Sequence, residues 1–162
     1  MFVPVIPKEG DPPNTPSADG TQFFRVRAQM LAQGRTDTTL TETDNLQIRI
    51  KVYASGGENT LHAHTSEDHS FVVLQGRARF WDKDGKTTEI GLHQGVTLPA
   101  GAMYKFEATS KEELVLLRMR AKVPGAAGAA PRVGASGKPM HGDSKENKGD
   151  IEVIYKDGKF FE

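Results

Sequence analysis

From Gly56 to Gly76 the chain reads GGENTLHAHTSEDHSFVVLQG. NTLHAH and SFVVLQ have the length and residue types of short strands, and the flanking glycines and the intervening TSED supply turn chemistry. His62 and His64 are two residues apart, so on a strand both rings leave the same face. A hairpin through TSED brings His69 back toward that pair. Three neutral imidazoles converging on one point suit a divalent transition metal. A lone histidine reads more simply as an ordinary surface or core residue, but here three of the chain's five histidines fall within eight residues. Glu67 and Asp68 sit in the expected turn and read as solvated carboxylates.

Outward from this stretch, period-two alternation continues from Leu46 to about Met119. Leu46, Ile48, Ile50 and Val52 alternate with Gln47, Arg49, Lys51 and Tyr53, the pattern of a half-buried strand. RARFWD, TTEI, GVTLPA, YKFEA and ELVLLRMR follow, separated by the turn residues QG, DKDG, HQG and PAG. Many short strands at close spacing indicate an all-β sandwich or barrel. No sustained 3.6-residue stripe occurs, which disfavours alternating β-α units and a nucleotide-binding doubly wound sheet.

The flanks differ in composition. Residues 1–44 hold five of the nine prolines, Pro4, Pro7, Pro12, Pro13 and Pro16, which argues for an extended arm leading into a first strand at FFRVRAQ. Residues 45–121 form the barrel core. Residues 122–150 are rich in Gly, Ala and Pro and read as linker or surface loop. Residues 151–162 carry IEVIYKDGKFF, a strand meeting a Lys156-Asp157-Gly158 turn, as a final β element returning to the sheet.

At 162 residues the chain fits one domain, and its 36% hydrophobic content is low enough that part of it is expected to lie outside a core. Equal counts of 21 basic and 21 acidic residues remove the electrostatic footprint of a nucleic-acid binder. The absence of cysteine excludes disulfides, thiolate metal sites and a Cys nucleophile. No Gly-x-Ser-x-Gly elbow, dinucleotide fingerprint or phosphate loop occurs. Apolar runs are too short for a membrane-spanning helix and no secretory leader is visible, so the expectation is a cytoplasmic protein. His93 falls in a turn and His141 in the linker. Arg77 and Arg79 share one strand face, opposite Ala78 and Phe80, and that face suits either an inward anion site or a solvated surface.

Gly56, His62-Ala63-His64, His69 and Gly76 together resemble the first motif of the cupin superfamily. Gly95-Val96-Thr97-Leu98-Pro99-Ala100-Gly101-Ala102-Met103-Tyr104 resembles the second. The resemblance covers about Leu46 to Arg120. It implies an all-β, cupin-type double-stranded β-helix (a jelly-roll barrel) with an extended N-terminal arm and a C-terminal tail, and a homodimer as the usual assembly. His69 stands where most cupins carry a glutamate ligand, and Tyr104 where they carry the last histidine. The implied metal set is His62, His64 and His69, with Tyr104 opposite. For Tyr104 three readings stand: a fourth, anionic ligand; an acid or base acting on substrate; or an aromatic that lines the barrel.

An all-histidine site leaves a bound ion its full 2+ charge and open positions for substrate. The first expectation is therefore a non-haem iron(II) dioxygenase acting on a small bidentate oxygen-bearing molecule, an enolate, phenolate or carboxylate. The second is a redox-neutral lyase or isomerase using zinc, manganese or nickel, with Tyr104 as acid or base. The third is a non-catalytic cupin that binds a small molecule.

Overall fold

The computed structural model describes residues 8–13, 15–56, 58–126, 130–142, 144–145 and 147–162. Pro4 and Pro7 of the arm lie outside the described residues. Eleven strands and no helix occur among those described: β1 (Ala28–Glu42), β2 (Leu46–Ser55), β3 (His62–His64), β4 (Glu67–Gln75), β5 (Ala78–Trp81), β6 (Thr87–Ile90), β7 (Gly95–Leu98), β8 (Lys105–Ala108), β9 (Leu114–Lys122), β10 (Arg132–Gly134) and β11 (Ile154–Phe161). A six-stranded sheet runs β11-β1-β2-β9-β4-β7, and a three-stranded sheet β6-β5-β8 accompanies it. β3 and β10 form a two-stranded sheet of their own. Every ladder is antiparallel. This is the double-stranded β-helix that the cupin resemblance implies, and each strand read between Leu46 and Met119 is present.

Two apolar clusters hold the structure. One lies inside the barrel, where Tyr53, Phe71, Leu114 and Leu116 of the large sheet meet Ala78, Phe80, Ile90 and Phe106 of the small one. The phenyl rings of Phe80 and Phe106 stack with centroids 5.0 Å apart, and Tyr53 meets Phe106 edge-on at 5.2 Å, both favourable aromatic geometries. The second cluster covers the other face of the large sheet, with Leu31, Ile50, Val52 and Val115 fully buried. At the motif's ends Gly56 and Gly76 have φ of 73° and 78°. A Cβ on Gly76 would stand 2.7 Å from Ser110 Oγ, and one on Gly56 would stand 2.6 Å from Ile151 Cδ1. Only glycine meets both demands without strain.

β2 departs from the half-buried expectation because both of its faces are covered. Ile50 and Val52 pack in the second cluster, while Gln47, Lys51 and Tyr53 on the opposite face are buried as well. The polar face turns toward the barrel mouth, not toward solvent. FFRVRAQ is not a strand over its length. β1 begins at Ala28, which pairs with Phe161 at the end of β11, so residues upstream have no neighbouring strand, and Phe23 and Phe24 are exposed. Lys156-Asp157-Gly158 does not end β11 either. It forms an irregularity within the strand, between the Phe160–Gln29 and Tyr155–Leu31 pairs.

The Gly/Ala/Pro-rich segment is more than a linker. Its residues 132–134 pair with β3, in the register Arg132–His64, Val133–Ala63 and Gly134–His62. Asn147 is fully buried and secures the fold-back. Its Nδ2 donates to the Gly142 carbonyl at 2.5 Å, its Oδ1 accepts from Arg132 at 2.9 Å, and its carbonyl accepts from the Thr60 N–H at 2.7 Å. A composition poor in apolar side chains is therefore docked by hydrogen bonds. Replacing Asn147 by Ala strands several of these buried groups, and an unfolding experiment in urea should report a loss of roughly 1–3 kcal/mol. A loss within the error of the measurement would mean that the segment is not stably docked.

Candidate metal centre

The site is assembled where β3, β4, β9 and the second motif meet. His62 and Tyr104 form an antiparallel bridge, the N–H of each donating to the carbonyl of the other at 3.1 and 2.9 Å. This sets the Tyr104 ring 4.6 Å from that of His62. The His62 and His64 rings are 5.2 Å apart, and His64 stacks on His69 at 3.9 Å. His69 thus meets the HxH pair, but not through a hairpin: β3 pairs with β10, while β4 pairs with β7 and β9 in the large sheet. Tyr104 joins them from the second motif.

Glu67 and Asp68 do not lie in a turn; they begin β4. Asp68 is exposed and accepts from the Ala100 N–H at 2.8 Å. Glu67 shares the inward face of β4 with His69, and its side chain is largely covered. Its carboxylate accepts from His69 Nε2 at 3.0 Å and from Arg120 at 2.6 Å. Donor atoms of His64, Glu67 and His69 lie within 4.8 Å of one another. The grouping that the structure makes is therefore two histidines and a carboxylate, with His62 immediately beside them. Period two could have revealed Glu67, since it stands two before His69 just as His69 stands two before the core residue Phe71.

His62 carries the clearest mark of a ligand. Its Nδ1 donates to the Thr60 carbonyl at 2.7 Å, which fixes the tautomer and leaves the lone pair on Nε2. That Nε2 is buried with no hydrogen-bond partner. A backbone carbonyl holding one ring nitrogen so that the other is free is the arrangement in which metal-binding histidines are held. The residues present therefore fit a divalent ion, with His64, Glu67 and His69 grouped and the unpaired Nε2 of His62 beside them.

Burial sets the electrostatics. It lowers His62 to about 4 and His64 well below the ordinary imidazole range. Burial and the neighbouring Arg118 lower His69 as well, against the opposing pull of Glu67. The His69–Glu67 contact is accordingly a hydrogen bond from a neutral ring and not an ion pair. Burial alone would raise Glu67, but the hydrogen bond from His69 and the charge of Arg120 outweigh it and hold the carboxyl below its usual value. Burial raises Tyr104 well above the ordinary tyrosine range, so its phenol keeps its proton.

Beside Tyr104 and His62 opens a polar cavity of about 180 Å³, into which Arg35, Asp37, Arg49, Lys51, Arg118 and Arg132 also project. Sequence reading passed over these residues. On β9 the signal was present: Leu114 and Leu116 share a face with Arg118 and Arg120, an apolar row that turns cationic. For Arg132 no local signal exists. Arg77 and Arg79 face outward and pair with Glu89, at 2.8 and 3.4 Å. His93 sits exposed in its turn with a φ of 65°, and His141 is exposed.

Residues 49–119 match the family model for the cupin domain. This segment is a cupin domain. Among solved structures, this cupin resembles the cupin domain of Schizosaccharomyces pombe Cnp3 at 19% identity and a TM-score of 0.52, over 57% of this chain and 68% of that one. It resembles a cupin superfamily protein of Desulfitobacterium hafniense at 19% identity and 0.51, over 73% and 95%. A conserved protein with a double-stranded β-helix domain from Klebsiella pneumoniae matches at 16% identity and 0.52, over 80% and 83%. At these identities the likeness is one of fold. No match is found among proteins of curated function.

Two buried imidazoles, His62 and His69, and the half-buried His64 make a pH prediction for the metal-free protein. Unfolded, they take up protons near 6.5, whereas in the folded chain they stay neutral, His62 down to about 4. The unfolded state binds more protons in between, so the stability is present above pH 6.5 and is lost as pH falls toward 4. The slope should approach roughly 1.4 kcal/mol per pH unit for each proton taken up. Denaturation midpoints at several pH values between 4.5 and 7 would measure it, and His62→Asn should flatten the profile. A pH-independent midpoint in that window would contradict the assigned burial.

Proposed function

We propose that this cupin is a metal-dependent enzyme, a non-haem iron(II) dioxygenase acting on a small oxygen-bearing molecule such as an enolate or carboxylate. One observation carries the reading: two histidines and one carboxylate, His64, Glu67 and His69, grouped within 4.8 Å. A two-histidine, one-carboxylate set that leaves coordination positions open is the donor arrangement associated with non-haem iron(II) oxygenases. The unpaired Nε2 of His62 offers a fourth donor. A bound divalent ion would supply Lewis acidity and, if iron, one-electron chemistry with dioxygen.

The chain's own residues would do the rest. Arg118 and Arg132 bind the anionic oxygens of the substrate and orient it. Phe71, Tyr104 and the buried imidazoles keep bulk water from the reacting end. Tyr104 holds its proton on Oη and can donate it to a developing anion on the substrate. Arg120 positions Glu67, whose second oxygen takes the hydrogen bond of His69. A redox-neutral lyase or isomerase is the second reading, favoured by the protonated Tyr104 as a ready general acid.

Metal analysis of protein purified without chelator, followed by oxygen uptake with a panel of enolisable acids, tests the assignment. Iron at near-stoichiometric content and substrate-dependent oxygen consumption are expected. Turnover with zinc under strict anaerobiosis would replace the dioxygenase by the redox-neutral reading. Glu67→Ala should lower metal content strongly, because it removes a donor and releases His69. Tyr104→Phe should retain metal while slowing turnover by roughly 10²-fold or more, the scale of lost acid–base catalysis. Unchanged turnover in that variant would reduce Tyr104 to barrel lining.

A further inference from the structure

The cavity beside the histidines has a charge imbalance that the donor set does not explain. Among the described residues, Arg35, Arg49, Lys51, Arg118 and Arg132 line it, against the single carboxylate of Asp37. Asp37 spends one oxygen on both Arg49, at 3.1 Å, and Lys51, at 3.5 Å. Its other oxygen is buried without a hydrogen-bond partner. The remaining three cations turn to neutral groups. Arg35 donates to Asn59 at 3.0 Å, Arg132 to Asn147 at 2.9 Å, and Arg118 approaches both ring nitrogens of His69 at 3.4 Å. The Nε–H of Arg132 is buried and has no partner. Strand register explains why they converge. Arg35 pairs with Tyr53, Asp37 with Lys51, and Arg49 with Arg118, so all project from the same face of the large sheet, while β10 delivers Arg132 from across the mouth.

Covered cations without counter-charges are costly unless something supplies the opposite charge. We infer that this cavity binds a small dianion, a molecule with two carboxylates or a phosphate group, and that Arg132, carried by the folded-back segment, is its anchor. The inference rests on the proposed function in taking this dianion as the substrate. The guanidinium forks suit planar, bidentate contact with carboxylate or phosphate oxygens. The cavity of about 180 Å³ has room for a small ligand. Because Arg132 reaches the site only through the pairing of β10 with β3, ligand binding would also tighten that segment.

Calorimetric titration of the full-length protein with malonate, inorganic phosphate and acetate tests this without requiring turnover. At least one dianion should bind at least ~10-fold more tightly than acetate, and Arg132→Gln should weaken it by a similar factor. Whichever of malonate and phosphate binds more tightly identifies the anionic group. Arg77→Gln, on the outer face, should bind as the wild type does. Should Arg132→Gln lose native near-ultraviolet dichroism, Arg35→Gln carries the same expectation. Equal affinity for acetate and both dianions, wild-type binding in the folded cavity variant, or equal weakening by Arg77→Gln would overturn the inference. Dianion binding without any oxygen uptake would sink the dioxygenase and leave the anion site standing. Oxygen uptake without dianion preference would do the reverse.

Discussion

Three residues, His62 to His64, are held from both sides, and the site depends on that clamp. On one side His62 exchanges both backbone hydrogen bonds with Tyr104; on the other, residues 132–134 run antiparallel to the same strand. A three-residue strand has too few contacts to keep its place alone. Paired on both edges, it presents two imidazoles on one face, sets Tyr104 against one of them, and draws Arg132 to the cavity. The Gly101 N–H, donating to the His64 carbonyl at 2.7 Å, ties the second motif to the same strand.

The inner face of the large sheet is divided along its length. Tyr53, Phe71, Val73, Leu114 and Leu116 make an apolar floor, and the same strands carry Arg49, Lys51, His69, Arg118 and Arg120 at the other end. The floor contributes the burial that holds the barrel closed. It also supplies the low-dielectric backing that keeps the histidines neutral and strengthens every charge interaction at the mouth. Asp37 illustrates the balance: burial would raise its pKa, yet Lys51, Arg49, Arg118 and Arg35 together hold it lower. Stability and function thus share one face, and the cations at the mouth are tolerated because the apolar end holds the sheet.

Local periodicity made the barrel legible from sequence. A strand's two faces alternate in the chain itself, so His62 with His64, and the order of strands from β2 to β9, follow from spacing and turn residues alone. The glycines at 56 and 76 marked chain reversals for the same local reason. What the alternation cannot say is what lies opposite each face. Arg49 and Lys51 look like a solvent face because charge is normally exposed, and only closure of the barrel turns them inward. Glu67 was misplaced for a related reason: turn-forming residue types around it outweighed its period-two relation to His69.

The sequence by itself determined an all-β chain with strands in known order, a histidine cluster on one of them and a tyrosine at the second motif. Only the tertiary structure decided that Tyr104 meets His62 and that a segment without aromatic residues folds back to bring in Arg132. The physical reason is range. Face and turn are set by neighbours two to four residues apart, whereas these contacts join residues tens of positions apart through backbone pairing. Such pairing depends on groups that every residue carries, and so it leaves little trace in side-chain composition.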